Sequence, residues 1–393
     1  MLPKQELLPS WAVIACDQFT SQPEYWAKAK DRAGTSPSAY NLILPEALLK
    51  GKGREDFAHI NSMMHDYLEQ DIFTEYKGAY IYVERTLLDG SVRPGLVGVI
   101  DLEEYDFQPG TSPLIRATEQ TVTERIPARK AIRDNAELEL SHVILLCDDE
   151  RRELIEPFRL TKHSMKKLYD FTLMLGGGNI QGWLVQGDQA RAFNTRLAGY
   201  IKRKSKELSL VFAVGDGNHS LAAAKSCWLE QKDTNPLARY AMVELENIHD
   251  PSLKFEPIHR IIKGVSPDEV ISAMKNDICA GILGSFWPVQ YYAQGRKGTL
   301  RIDRSKGASA LIVLQKYLDA KEYSIDYIHG TDALVKLSSE EGCVGFEMPP
   351  FDAKAKSDFF RVISESGVLP RKTFSMGHAQ EKRYYLEARR IRG

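Results

Sequence analysis

One short segment constrains the fold of this chain more than any other. Residues 210–214 form an apolar run, a turn with two glycines follows at once, and an alanine-rich stretch extends over residues 220–231. An apolar run of this length favours a buried strand, and glycine lets the backbone turn tightly. The segment therefore predicts a buried strand that leads directly into a closely packed helix.

Comparable patterns recur along the rest of the chain. Apolar and β-branched runs predict strands at residues 11–16, 79–86, 95–102, 142–147, 241–245, 286–292 and 299–302. Amphipathic stretches predict helices at residues 161–175, 190–206, 267–274 and 308–318, with the glycine run 176–178 ending the first of them. This alternation is typical of an α/β (mixed α+β) fold.

The length and the pattern together predict two parts. A chain of 393 residues is long enough for two or three domains. We expect a first domain at residues 1–265 and a C-terminal α/β extension at residues 266–393. The polar and basic stretch 373–385 is expected to fold back on the first domain.

Composition excludes several classes of protein. The 52 basic and 53 acidic side chains leave a net charge of −1, which argues against a whole-molecule field for nucleic acid or an anionic membrane. The first ten residues lack the pattern of a signal peptide, and no apolar run approaches the ~18–20 residues needed to span a bilayer. Five widely spaced cysteines form no CxxC pair. We expect a cytoplasmic protein with no nucleic-acid or membrane partner; the sequence does not indicate its oligomeric state.

The two-glycine turn also carries the residues best suited to chemistry. It consists of Gly215, Asp216, Gly217, Asn218, His219 and Ser220. Free N–H groups at the start of the following helix suit a phosphate, and an acid and an imidazole three residues apart lie beside them. The alternative is a plain junction in which Asp216 or Asn218 caps the helix. The apolar strand before the turn and the small residues after it favour a functional site.

A second segment, residues 113–129, concentrates charge and hydroxyl groups. It contains three arginines and two glutamates, namely Arg116, Arg125, Arg129, Glu119 and Glu124. Arginine pairs bidentately with phosphate oxygens, and a nearby carboxylate can take a proton from a hydroxyl acceptor. On these residues alone, a salt-bridged surface loop is an equally good interpretation.

A third segment, residues 254–262, places His259 and Arg260 side by side in an apolar, strand-like run. Neighbouring side chains on a strand point to opposite faces, so one of the two could face a cleft. A structural histidine is the favoured interpretation. Both residues are also candidate contacts to a phosphate donor.

The turn at Asp216 resembles the Asp-Gly-His-His-Arg signature of the ParB/sulfiredoxin-like superfamily, which includes the free-serine kinases. The wider pattern resembles the domain-of-unknown-function 1015 family through most of the chain. That resemblance runs through residues 116–129, the glycine run into Trp183, the two-glycine turn, residues 256–260 and residues 372–377. It implies a ParB/sulfiredoxin-like core with a C-terminal α/β extension.

The resemblance also implies roles for individual residues. Asp216 and His219 would assist phosphoryl transfer, with Asp216 holding Mg²⁺ or orienting the donor. Glu119 would be the general base, and Glu124 is its rival. The arginine that follows the histidine in the signature is Ser220 here, so an arginine of the second segment would have to supply that phosphate contact.

These observations lead to three hypotheses about function. The first is a phosphotransferase, or kinase, that uses diphosphate, ADP or ATP with Mg²⁺ and a small hydroxyl acceptor; by resemblance the best candidate is free L-serine. The second is a ParB-like switch that binds or hydrolyses nucleotide and recruits a partner. The third, a DNA-binding module, is disfavoured by the near-neutral charge and by the lack of a helix-turn-helix pattern. Serine-dependent turnover distinguishes the first from the second.

Overall fold

The fold is given by a computed structural model of the chain. It describes residues 1–20, 22–49, 51–108, 110–119, 121, 126–350, 353–370 and 372–392, with the backbone alone at residues 353 and 366.

The helices are α1 Leu8–Trp11, α2 Pro23–Ala33, α3 Arg54–Glu69, α4 Ile126–Arg133, α5 Glu156–Thr161, α6 Asp188–Glu207, α7 Asn218–Gln231, α8 Pro267–Asp277, α9 Ala310–Ala320, α10 Thr331–Ser338 and α11 Ala353–Ser366. The strands are β1 Leu2–Pro3, β2 Val13–Ile14, β3 Phe73–Thr74, β4 Tyr80–Thr86, β5 Val92–Asp101, β6 Tyr105–Asp106, β7 Ile115–Ala117, β8 Leu138–Leu140, β9 Ile144–Cys147, β10 Lys167–Thr172, β11 Asn179–Val185, β12 Phe212–Asp216, β13 Tyr240–Asn247, β14 Phe255–Ile262, β15 Phe286–Ala293, β16 Arg296–Asp303, β17 Ile325–His329, β18 Val344–Glu347, β19 Phe374–Met376, β20 Tyr384–Tyr385 and β21 Ala388–Arg390. The mixed α+β class that the sequence predicts is confirmed.

The chain forms two compact units. Unit 1 comprises Met1–Leu253 together with Gly377–Gly393, and unit 2 comprises Lys254–Met376. Residues 254–265, which the sequence assigns to the first domain, lie in unit 2, and the last residues of the chain return to unit 1.

Unit 1 is built on one mixed sheet. Over the described residues it has nine strands in the order β10-β11-β4-β5-β13-β9-β12-β7-β6. Third from the edge formed by β6, β12 pairs antiparallel with β9 and parallel with β7. The C-terminal ends of β12 and β7 therefore lie at the same edge of the sheet as the start of β9.

Both faces of this sheet are covered. Alternate residues of β4 and β13 point to opposite sides, so Ile81, Val83 and Met242 belong to one apolar core, while Tyr82 and Val243 belong to the other. A strand that is covered on both faces needs apolar residues throughout. This is why β9, whose four residues are all buried, is a continuous apolar run.

Unit 2 has its own sheet and core. Its main strands follow the order β16-β15-β18-β14-β17, and β19 pairs with β14. Helices α8 and α9 contribute Val270, Met274, Leu314 and Leu318 to the apolar core of the unit. The helices and strands predicted at residues 267–274, 286–292, 299–302 and 308–318 are confirmed here; the first three are longer than predicted, and the last is shifted by two residues to Ala310–Ala320.

One predicted helix is wrong. Residues 161–175 form the end of α5, a short 3-10 turn at Lys162–Ser164 and then β10, which pairs antiparallel with β11. The glycines after it join two strands instead of ending a helix. Gly178 has a φ of +79°, and a Cβ there would stand 2.1 Å from the carbonyl oxygen of Thr86. The pairing of β10 with β11 therefore outweighs the local helical pattern of these residues.

Two further observations concern the cysteines and the search for helices that could span a membrane. All five cysteines are free thiols, and burial raises the pKa of Cys16 to about 12. Throughout the part of the chain that the structure describes, no helix combines the length and apolarity that crossing a bilayer requires.

Candidate functional site

The junction between β12 and α7 is as abrupt as the sequence predicts. Asp216 ends the strand, Asn218 begins the helix, and Gly217 alone separates them. Gly217 has the left-handed values φ 81° and ψ 23°. A Cβ at Gly217 would lie 3.0 Å from Cα of Val143 and 3.4 Å from Cδ2 of His142. Both the dihedral angles and the close approach to the chain before β9 therefore require glycine.

Side-chain oxygens at this junction are buried without donors. Asp216 Oδ1 accepts a hydrogen bond from the backbone N–H of Gly217 at 2.9 Å. Asp216 Oδ2 and Asn218 Oδ1 are buried, and no described group donates a hydrogen bond to either. Buried acceptors normally have partners. These two oxygens are therefore candidates to contact a bound cation or a ligand hydroxyl.

A cation from the end of the chain lies beside them. Nζ of Lys382 is 3.4 Å from Oδ2 of Asp216. Only 12% of the Lys382 side chain and 17% of the Asp216 side chain is exposed, so the pair is largely removed from water. A charge this close acts more strongly there than at the surface.

The first turn of α7 borders a cavity of about 120 Å³. His219 and Ser220 are half-buried, and Ser220 lines the cavity. Arg129 of α4 and Tyr385 of β20 line it as well. Among the described side chains, none caps the start of α7. The positive end of the helix dipole thus stands beside a small pocket, an arrangement suited to an anion.

A buried polar group forms another part of the cavity wall. His142 Nδ1 lies 2.8 Å from the hydroxyl oxygen of Tyr385, and His142 Nε2 lies 3.7 Å from Oδ2 of Asp17. Burial alone would raise the pKa of Asp17, but the charge of His142 and a hydrogen bond from Gln18 lower it. The pKa of Tyr385 is raised well above its ordinary value, chiefly by burial. Tyr385 therefore stays a neutral hydroxyl that holds the imidazole in place.

The three arginines of the second segment are placed differently from one another. Arg116 is buried, and its guanidinium donates hydrogen bonds to Ser209 and to the carbonyl oxygen of Pro113. Both acceptors lie before the start of β12, so the structure does not bring Arg116 to the turn at Gly215. Arg125 lies outside the described residues.

Arg129 does come close to the turn. It lines the same cavity as Ser220 and forms an ion pair with Glu46. Burial opposes its charge, but Cys16 and Glu46 together raise its pKa. Arg129 is thus a fully charged group at the cavity, with part of its charge already balanced.

Glu119 lies at the edge of the sheet where β12 ends. In the parallel register, Ala117 is level with Val214, and Glu119 follows two residues after Ala117. The hydroxyl of Thr118 donates to the carbonyl oxygen of Val214 at 2.7 Å and ties the two chains together there. Glu119 is half-buried. The rival base, Glu124, lies outside the described residues.

His259 and Arg260 belong to unit 2 and have protein partners within it. His259 Nδ1 accepts a hydrogen bond from the backbone N–H of Met348 at 3.1 Å, and burial lowers the pKa of the imidazole. Arg260 is fully buried and donates through Nε to Gln315 at 3.0 Å. These contacts are what a structural pair requires.

One further group of side chains has the composition of a cation site. Asp148, Glu150 and His249 bring potential ligand atoms within 4.8 Å of one another. Both oxygens of Asp148 are already engaged, one with His249 at 2.6 Å and the other with Nζ of Lys204 at 2.7 Å. The lysine supplies the positive charge that a metal would bring, so this group is complete as it stands.

Sequence reasoning missed the contributions that come from distant parts of the chain. Lys382, Tyr385, His142 and Asp17 all lie around the turn, yet no local pattern marks any of them. The polar and basic character of residues 373–385 is the one signal that pointed to the last part of the chain, and Lys382 and Tyr385 lie within that stretch.

The fold and the site thus define a mixed α+β protein with a largely apolar cavity, lined also by a few polar side chains, at the start of helix α7. This chain belongs to the family described as Protein of unknown function (DUF1015), whose model matches residues 1–390. No curated protein sequence matches it.

Several solved structures resemble the fold. SbnI with a C-terminal truncation, from Staphylococcus aureus, is 10% identical; the match covers 72% of this chain and 83% of that one, with a TM-score of 0.37. Free serine kinase in complex with AMP is 11% identical, with 75% and 91% covered and a TM-score of 0.36. A conserved hypothetical protein from Pyrococcus furiosus is 12% identical, with 75% and 95% covered and a TM-score of 0.33.

Proposed function

We propose that this protein is a phosphotransferase that moves a phosphoryl group from diphosphate, ADP or ATP to a small hydroxyl acceptor, with free L-serine as the first candidate. The observation that carries the proposal is the junction of β12 and α7. There, buried oxygens of Asp216 and Asn218 that accept no hydrogen bond from the described residues stand beside the positive end of a helix. The resemblance of this turn to the signature of the free-serine kinases supports the same reaction.

The donor would bind at the start of α7. The positive end of the helix dipole attracts negatively charged phosphate oxygens, and Arg129 supplies a fixed positive charge at the neighbouring cavity. His219, on the first turn of the helix, would balance negative charge that builds up on the transferred group. Phosphoryl transfer depends chiefly on such positioning and charge neutralisation.

The residues at the junction also fit Mg²⁺. This ion prefers oxygen ligands, and Asp216 Oδ2 and Asn218 Oδ1 are two buried oxygens that accept no hydrogen bond from the described residues. These side chains would hold the ion. When bound, Mg²⁺ would neutralise negative charge on the donor's phosphate oxygens.

Glu119 is the proposed general base. Its position two residues after the end of β7, which pairs with the last part of β12, supports a carboxylate at the edge of the sheet where the donor would bind. The acceptor oxygen forms a bond to the terminal phosphorus as the bond from that phosphorus to the leaving phosphate oxygen breaks. The hydroxyl proton passes to Glu119, and the electron pair of the broken bond stays with the leaving phosphate.

The proposal is tested by phosphorus NMR on the full chain with Mg²⁺, serine and each donor in turn. Phosphoserine should accumulate with one of the donors. Asp216→Asn should lower the rate about 10²–10³-fold, the usual cost of removing one preorganised electrostatic contact. The matched control is Asp188→Asn, which changes an exposed aspartate at the start of α6 and should leave the rate unchanged.

Two outcomes would contradict the proposal. If no donor yields a phosphorylated product, the protein is not a phosphotransferase for this acceptor class. If nucleotide is hydrolysed at a rate that does not depend on serine, the nucleotide-switch hypothesis replaces it.

A further inference from the structure

Lys382 differs from two other largely buried lysines of unit 1, Lys204 and Lys225, in the hydrogen bonds that its ammonium group makes. Lys204 and Lys225 each donate a hydrogen bond of 2.7 Å, to Asp148 and to the carbonyl oxygen of Leu102 respectively. Among the described residues, Lys382 donates no hydrogen bond through Nζ. Its one ion pair, with Asp216, is longer at 3.4 Å.

The backbone that carries Lys382 is, in contrast, firmly held. Arg85 donates to the carbonyl oxygen of Lys382, and Arg93 donates to that of Glu381 at 2.8 Å. The carbonyl oxygen of the next residue, Arg383, accepts from the backbone N–H of Ala15 at 2.9 Å. The chain is thus fixed on both sides of a side chain whose ammonium donates no hydrogen bond to the described residues.

Burying a carboxylate oxygen beside this ammonium is costly unless a ligand completes the pair. The buried oxygen loses its water, and attraction to a nearby cation alone repays this loss poorly without hydrogen bonds. Asp216 Oδ2 is buried and accepts no hydrogen bond from any described group, and Nζ of Lys382, 3.4 Å away, donates none to the described residues. A ligand that brings both an anion and a cation would satisfy the two together.

We propose that Lys382 is a donor-phosphate ligand that exchanges partners. Without ligand, its ammonium balances the charge of Asp216. When a metal–diphosphate group binds, the ammonium turns to a phosphate oxygen, and Asp216 is released to contact the cation. This inference rests on the proposed function and names the residue that supplies the positive charge absent at Ser220.

The other candidate cations do not serve this purpose as well. Arg116 is bound to Ser209 before the start of β12, and Arg129 is paired with Glu46. Of the described lysines and arginines, Lys382 is the one that forms an ion pair with Asp216. Lys382 therefore completes a site in which Asp216 and Ser220 lie more than 160 residues earlier in the sequence.

The test is calorimetric titration of the full chain with inorganic diphosphate in the presence of Mg²⁺. Lys382→Met should weaken binding about tenfold to hundredfold, the usual cost of losing one charge-assisted hydrogen bond. Lys382→Arg should retain part of the affinity, because it keeps the charge. The matched control is Lys204→Met, which breaks a pair of similar burial (14% of the lysine side chain exposed) and should leave diphosphate affinity unchanged.

A second measurement has the opposite sign. Without diphosphate, Lys382→Met should bind Mn²⁺, used as a spectroscopic stand-in for Mg²⁺, several-fold more tightly than wild type, because a positive charge beside Asp216 has been removed. A lysine with a purely structural role would not tighten metal binding. The double variant Lys382→Met with Ser220→Arg should recover diphosphate affinity if the arginine reaches the same phosphate.

The outcomes separate this inference from the proposed function. If Lys382→Met binds Mg²⁺–diphosphate as wild type does, the inference is wrong and the proposed function stands. If Lys382→Met and Lys204→Met lose affinity and melting temperature to the same extent, Lys382 is structural and the inference is again wrong. If wild type binds none of diphosphate, ADP and ATP, both proposals fail.

Discussion

Replacing Gly217 by alanine tests the geometry of the junction directly. Two separate effects oppose the added methyl group: the backbone is left-handed, at φ +81°, and the new Cβ would stand 3.0 Å from Cα and Cγ2 of Val143. Because Cα of Val143 belongs to the backbone just before β9, it cannot move aside as a flexible side chain would.

The loss in the free energy of unfolding expected for Gly217→Ala is the sum of these two effects. A left-handed conformation costs a residue with a Cβ about 1–2 kcal/mol. Overpacking a tightly filled place typically adds about 1–3 kcal/mol. Gly90 provides a matched control, since it has the same φ of +81° and no described atom lies within 4 Å of its would-be Cβ. Gly90→Ala should therefore show the first cost alone, and Gly217→Ala the sum of both.

The assay is urea unfolding followed by tryptophan fluorescence, because four of the five tryptophans lie in unit 1. Gly217→Ala should lose about 1–3 kcal/mol more than Gly90→Ala. Its phosphotransferase rate should also fall, because the crowding displaces Asp216 or α7. Equal losses in the two variants would refute the argument that the junction is crowded.

Three further predictions concern single residues. Arg116→Ala should leave diphosphate affinity unchanged in calorimetry, whereas Arg129→Ala should weaken it; the reverse order would contradict the placement of these side chains. Glu119→Gln should lower the turnover rate about 10²–10⁴-fold while keeping its melting temperature. A larger decrease in Glu124→Gln would identify Glu124 as the general base instead. Burial lowers the pKa of His259 below its ordinary 6.5, so the unfolded chain takes up a proton first as the pH falls. The stability of unit 2 should therefore decline below about pH 6.5 and level off once the pH is below the lowered pKa, and His259→Gln should flatten that part of the melting-temperature profile.

The sequence predicts the junction well because its determinants are local. An apolar run fills the buried strand, and Gly217 meets a backbone requirement that other residues meet poorly. Alanines then allow α7 to pack closely. The structure moves the boundaries by two residues, so that Asp216 ends the strand and Asn218 begins the helix.

Residues 161–175 show where local patterns fail. The sequence has helical spacing there, but Tyr169 of β10 is buried and donates a hydrogen bond from its hydroxyl to Glu387 at 2.7 Å. That partner lies more than 200 residues later in the chain. Pairing with β11 and contacts of this kind decide the outcome, and neither is visible in a short window.

The charged partners of the site were beyond prediction for the same reason. Lys382 reaches Asp216 because Arg85 and Arg93 hold backbone carbonyl oxygens of the last segment. Such contacts between distant parts of the chain cannot be inferred from the spacing of residues in the sequence. The roles assigned to Glu119, Asp216 and the rest of the turn remain predictions.

The most direct test of the proposed site is a crystal structure of the full chain with Mg²⁺ and methylenediphosphonate, a diphosphate analogue that cannot transfer its terminal group. The proposed site predicts a phosphonate group at the start of α7, the cation on Asp216, and Nζ of Lys382 within hydrogen-bond distance of a phosphonate oxygen. An analogue bound elsewhere on the protein, with Lys382 still paired to Asp216, would contradict it.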